Sequence, residues 1–116
     1  MRHQKFYSKG ESVKVANRAN QNLFAELMNA ICKGEDFSRG QSIFSDKNQT
    51  QFNRIRVVGH GLKSAEFTYS MSTGKFVLRL KEKGKKDVLK NLPRIFADQK
   101  ALVLELKNML RAFFDV

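Results

Sequence analysis

Between residues 65 and 81 the chain alternates twice with the two-residue period of a β-strand. Ala65, Phe67, Tyr69 and Met71 fall on one side and Glu66, Thr68 and Ser70 on the other. After Ser72-Thr73-Gly74 the pattern resumes, with Phe76, Leu78 and Leu80 against Lys75, Val77, Arg79 and Lys81. Such runs put one set of side chains on each face of a sheet, and Gly74 can supply the positive φ that a short loop between them needs, so the segment predicts a hairpin. A lone hairpin is marginal in water, so the rest of the chain has to cover its apolar face.

The rest of the chain provides that cover. Ile55 and Val57 alternate with Arg54 and Arg56 in a third strand over 52–58, closed by Gly59-His60-Gly61. Residues 12–33 predict a helix from the three- and four-residue spacing of Ala19, Leu23, Phe24, Leu27, Ala30 and Ile31. Ser12 or Asn17 would cap its start, and Lys33 with Gly34 suits its end. Beyond Pro93, Asp98 is placed to cap a final helix reaching about Phe114. Its stripe of Leu102, Leu106, Met109 and Phe113 is widened by Val103, Leu110 and Phe114, leaving Lys100 and Lys107 on its outer side. Residues 35–51 read as a connection with a short strand or turn at 42–45, and 86–91 as a helical turn.

These elements predict an α+β fold: an antiparallel sheet of three to four strands, with an N-terminal and a C-terminal amphipathic helix packed on one face. A basic flexible arm, 1–11, would precede a single domain over 12–116, and 41% hydrophobic residues with ten Phe suffice for one core. The apolar breadth of 102–114 exceeds what one small sheet requires, so homo-oligomer formation through it is an expectation. Cys32 is the only cysteine and no apolar leader follows the N-terminus, which fits a cytoplasmic, reducing compartment. No apolar run exceeds four residues, against the roughly 20 a membrane span needs.

Charge narrows the partner class. The net charge is +11, and Lys75 to Arg94 contains Lys75, Arg79, Lys81, Lys83, Lys85, Lys86, Lys90 and Arg94 against only Glu82 and Asp87. This density predicts a polyanion ligand. Membrane-surface binders concentrate such charge on an amphipathic helix, whereas here it falls on a strand and turn, which favours nucleic acid. If Ile55, Val57, Phe67, Tyr69, Leu78 and Leu80 look inward, then Arg54, Arg56, Lys75, Arg79 and Lys81 look outward together. The turn at 81–86, with Lys83, Lys85 and Lys86, extends this basic surface. Phe6, Tyr7 and Phe52 are candidates for stacking on bases, while Phe67, Tyr69 and Phe76 read as core. Single-stranded DNA or RNA is favoured, because both helices commit their apolar stripes to the core and neither reads as a recognition helix.

Catalytic signals are sparse. No CxxC, GxxxxGK[ST], GxGxxG or HExxH occurs, and apart from Glu35-Asp36 the acids are scattered, so neither a metal nor a cofactor is expected. Cys32 reads as a half-buried structural thiol. His60 reads as part of a turn, although a small ribonuclease using it with Lys or Arg side chains stands as the enzyme alternative. Inhibition of an acidic partner protein is a third reading. In element order, residues 52–114 resemble the small single-stranded-DNA-binding domains of the transcriptional-coactivator and Whirly kind. The combination of a helical N-terminal part with a basic sheet is similar to small ribosome-dependent ribonuclease toxins, without their cluster of cleavage residues near the C-terminus. Both likenesses are of layout and assign no residue a role.

Overall fold

The computed structural model describes residues 9–47, 50–95 and 98–115. In chain order these form α1 (Lys9–Cys32), β1 (Ser38–Arg39), β2 (Ile43–Lys47), β3 (Thr50–Val58), β4 (Lys63–Ser70), β5 (Phe76–Glu82), β6 (Val88–Leu92) and α2 (Gln99–Phe114). The fold is α+β, with two helices and one antiparallel sheet.

The sheet has six strands where three to four are expected from sequence. Its path runs β1-β3-β4-β5-β6, and β2 also pairs with β3. β1 meets the end of β3 through Ser38↔Val58, β2 meets its middle and start through Ile43↔Arg54 to Lys47↔Thr50, and between them the Gly40 N–H donates to the Arg56 carbonyl at 2.8 Å. The two short strands thus share one interrupted edge. β6 occupies the stretch expected as a helical turn. It pairs with β5 from Leu80↔Val88 to Phe76↔Leu92 while Val88 and Leu89 stay 50% and 60% exposed. Backbone pairing with a neighbour, not side-chain burial, makes it a strand, so no alternation marks it in the sequence.

The predicted hairpin forms as β4 and β5, with Tyr69↔Phe76, Phe67↔Leu78 and Ala65↔Leu80 opposite each other and Gly74 at φ 76°. Ile55, Val57, Phe67, Tyr69 and Leu78 are fully buried and Leu80 nearly so, which agrees with their predicted inward phase. They join Phe24, Leu27, Met28 and Ile31 of α1 and Leu102, Leu106, Leu110 and Phe114 of α2 in one core. The Phe24 ring stands 5.6 Å from Phe76, edge to face, and 5.9 Å from Tyr69. Gly59 lets Phe114 close over the end of β3, since a Cβ there would lie 2.9 Å from the Phe114 ring.

α1 begins at Lys9, so three residues assigned to the flexible arm are helical, and Ser12 and Asn17 lie within the helix instead of capping it. Residues 1–8 lie outside the described residues. α2 starts as predicted, with the Asp98 carboxylate accepting from the Lys100 N–H at 3.0 Å, and ends on Asp115 in the left-handed conformation. The breadth of its apolar face has a use within the chain. Val103, Met109 and Phe113 pack against the margin of the core, and Leu104, 61% exposed, is the one large hydrophobic side chain of this helix that stays out.

Lys107 does not lie free on the outer side of α2. It donates to the Lys33 carbonyl at 2.7 Å and to Glu35 at 3.2 Å, and Arg111 grips the same carboxylate with Nε at 2.9 Å and Nη2 at 2.5 Å. This clamp ties the end of α1 to α2. Arg111's hydrogen bonds, with help from Lys107 and against partial desolvation, hold the Glu35 carboxyl down at about 2, below its ordinary 4.5. A carboxyl depressed in the folded state stabilises the fold above its unfolded value and loses that contribution as pH falls. Glu35→Gln is therefore expected to lower the melting temperature at pH 7, with the gap to wild type closing as pH falls from 4.5 to about 2. Thermal melts across that range check it, and a gap independent of pH would contradict it.

Candidate nucleic-acid interface

The strand period that buries Ile55, Phe67 and Leu78 sends their neighbours to the opposite face, and the register lines them up in rows. One row reads Ile43, Arg54, Thr68, Val77 and Asn91 across β2 to β6. The next reads Arg56, Glu66, Arg79 and Leu89, and beyond it lie Val58, Ser64 and Lys81. Arg54, Arg56, Arg79 and Lys81 thus share one face. Lys75, just before β5, joins them at the β4–β5 end.

Among the described residues two recesses lie on this face. A trough of about 410 Å³ is lined by Phe52, Arg54, Glu66, Thr68, Lys75, Val77 and Arg79, with Ser70 and Thr73 closing one end. A second, of about 380 Å³, lies toward the β1–β2 edge and is lined by Gly40, Gln41, Ile43, Arg54, Arg56 and Glu66. Arg54 and Glu66 belong to both. The surface is therefore a basic rim around a part-apolar floor, with one carboxylate at its centre.

Some of the cations are held by acids. Arg54 Nε lies 3.7 Å and Arg56 Nη2 3.5 Å from the Glu66 oxygens, and Arg79 Nη1 donates to Asp87 at 3.1 Å. The arginine side chains remain 43–56% exposed. The guanidinium ends are open to water and the two Glu66 contacts are too long for well-formed hydrogen bonds, so a phosphate can compete for the arginines. Lys75 and Lys81 make no ion pair among the described residues. Surface pairing with Glu66 and Asp87 therefore orients the arginines without using up their charge.

Of the remaining sequence candidates, Phe52 is half-buried on this outer face and lines the trough, whereas Phe67, Tyr69 and Phe76 are core. Lys83, Lys85 and Lys86 are exposed in the β5–β6 turn, where Gly84 has φ 82° and Lys85 pairs with Glu82 at 3.5 Å. They sit beyond the end of β5 opposite Lys75 and do not line the trough. Phe6 and Tyr7 lie outside the described residues. Glu66, Thr68, Ser70, Thr73 and Val77 also line the trough, although no motif marks them as site residues. The signal was available for Glu66, because the alternation that points Arg79 outward points Glu66 to the same side.

His60 is exposed in the β3–β4 turn and makes no hydrogen bond or ion pair among the described residues. Glu66, a carboxylate near it in sequence, faces Arg54 and Arg56 instead. Burial pushes the half-buried Cys32 thiol up to about 11, which keeps it protonated at neutral pH. Among the described residues no three His, Cys, Asp or Glu side chains gather as a metal site, and no helix is long and apolar enough to cross a membrane. The chain matches no protein-family model, no curated protein and no solved structure.

Proposed function

We propose that this protein binds single-stranded nucleic acid across the outer face of its sheet, without catalysing a reaction on it. The observation that carries this reading is a trough lined by Arg54, Lys75 and Arg79 together with Phe52 and Val77, with Arg56 lining the adjoining recess and Lys81 one row further along the same face. Distributed cations neutralise phosphates and release their counterions, and flat apolar side chains give bases a surface to lie on. The inward commitment of α2, and of α1 through Phe24, Leu27, Met28 and Ile31, supports a single strand over a duplex. α2 buries Leu102, Leu106, Leu110 and Phe114, and its exposed side mixes Lys100, Leu104, Glu105 and Asn108, which is no basic recognition surface. Lys83, Lys85 and Lys86 extend the basic track past the end of β5, where a strand longer than the trough would run.

Salt dependence tests the reading. Each phosphate neutralised on a single strand contributes a slope of about −0.7 to log K against log salt, so five contacts give about −3.5. Fluorescence anisotropy with a labelled oligonucleotide between low and physiological salt is expected to give a slope of that order. A slope near zero, or no binding at low salt, would overturn the proposal.

A further inference from the structure

We propose that Glu66 gives the trough a preference for guanine, its carboxylate accepting the N1–H and one N2–H of a base seated there. The inference rests on the single-strand reading and adds base selection to it. Glu66 lies where the two recesses meet, and its side chain is only 12% exposed. Its oxygens stand 3.7 and 3.5 Å from Arg54 and Arg56, close enough to balance charge and too far for well-formed hydrogen bonds. Among the described residues no donor fills its lone pairs, although an ionised carboxylate has about four acceptor positions.

A surface that only gripped phosphates would gain nothing from a carboxylate at its centre, because like charge repels the backbone from that spot. Glu66 therefore divides the ligand. Phosphates are kept to the rim of Lys75, Arg79 and Arg56, and bases enter over Phe52 and Val77. Single strands present their Watson–Crick edges freely, so the edge that reaches Glu66 is readable. Guanine offers two parallel N–H donors at the spacing of two carboxylate oxygens. Cytosine and adenine offer one amino group beside a ring-nitrogen lone pair that repels the second oxygen. The single N–H of thymine or uracil is flanked by two carbonyl oxygens, which repel both.

The test uses labelled thymidine strands with one central position varied: thymine, cytosine, adenine, guanine, or hypoxanthine, which is guanine without its N2 amino group. Wild type is expected to bind the guanine strand about tenfold more tightly than the all-thymine strand, within the range of a good bidentate base contact. Hypoxanthine should lose most of that gain. Glu66→Gln is expected to bind all five strands within about twofold of one another, and the all-thymine strand more tightly than wild type does, because a negative charge has left the site. Equal binding of guanine and thymine strands by wild type, or a guanine preference kept by Glu66→Gln, would overturn the inference alone. No binding of any strand would overturn the single-strand reading together with it. Should Glu66→Gln fail to fold, the guanine and hypoxanthine strands compared on wild type decide.

Discussion

Replacing Arg54 and Arg79 together by alanine is expected to weaken single-strand binding by about a hundredfold at low salt. Both side chains line the trough, and each charge-assisted contact to a phosphate is worth about 1.5 kcal/mol, so two give about 3 kcal/mol. The fold should hardly notice. Arg54 and Arg79 are 46% and 43% exposed, Arg79 pairs with Asp87 at the surface, and Glu66 keeps Arg56 beside it when Arg54 is gone, so the melting temperature should stay close to that of wild type. Lys33→Ala with Lys100→Ala removes the same charge from exposed positions at the end of α1 and the start of α2, and should cost only a few-fold. Equal losses from the two pairs, measured by anisotropy, would mean that the chain binds as a diffuse cation with no defined face.

The largest effect on stability is expected at Phe24. It is fully buried, and its ring meets Tyr69 and Phe76 of the sheet, so Phe24→Ala opens a cavity where α1 and the two strands come together. Truncations of this kind cost about 3–5 kcal/mol, a large share of the roughly 5–15 kcal/mol that holds a domain. For a chain of this size that corresponds to a fall of roughly 10–20 °C in melting temperature. A near-native melt for Phe24→Ala would show that α1 does not seat on this part of the sheet. Together the two variants separate the faces: one should lose affinity at a nearly unchanged melting temperature, the other should melt earlier yet bind normally while folded.

The inner face of the sheet was legible in the sequence because burial imposes strict alternation. Ile55, Val57, Phe67, Tyr69 and Leu78 each lie where period two puts them. Since the same period dictates the other face, the shared placement of Arg54, Arg56, Arg79 and Lys81 followed from it. What escaped were elements made by partners. β6, Val88-Leu89-Lys90-Asn91-Leu92, shows no apolar–polar alternation and leaves Val88 and Leu89 in solvent, so only its ladder with β5 defines it. β1 lies in a stretch without pattern and is held by pairing with β3 and by Arg39, which donates to Asn29 and Ala25 of α1 at 3.0 and 3.4 Å.

Long-range ion pairs were equally hidden. Nothing local distinguishes Lys107 from Lys100, yet Lys107 and Arg111 close on Glu35 from more than seventy positions away, while Lys100 stays exposed. Glu66 shows the same limit at the candidate site. Its outward phase could be read from its neighbours, but its place at the junction of two recesses depends on the register of β3, β4 and β5.

Binding on the outer sheet face is tested by amide chemical shifts recorded while a short single-stranded oligonucleotide is titrated into the labelled protein. The shifts are expected to concentrate at Arg54, Glu66, Thr68, Val77 and Arg79, with smaller changes in the 83–86 turn, while Leu104 and Asn108 on the exposed side of α2 stay still. Shifts that gather on α1 and α2 and leave those five residues unmoved would contradict binding on that face.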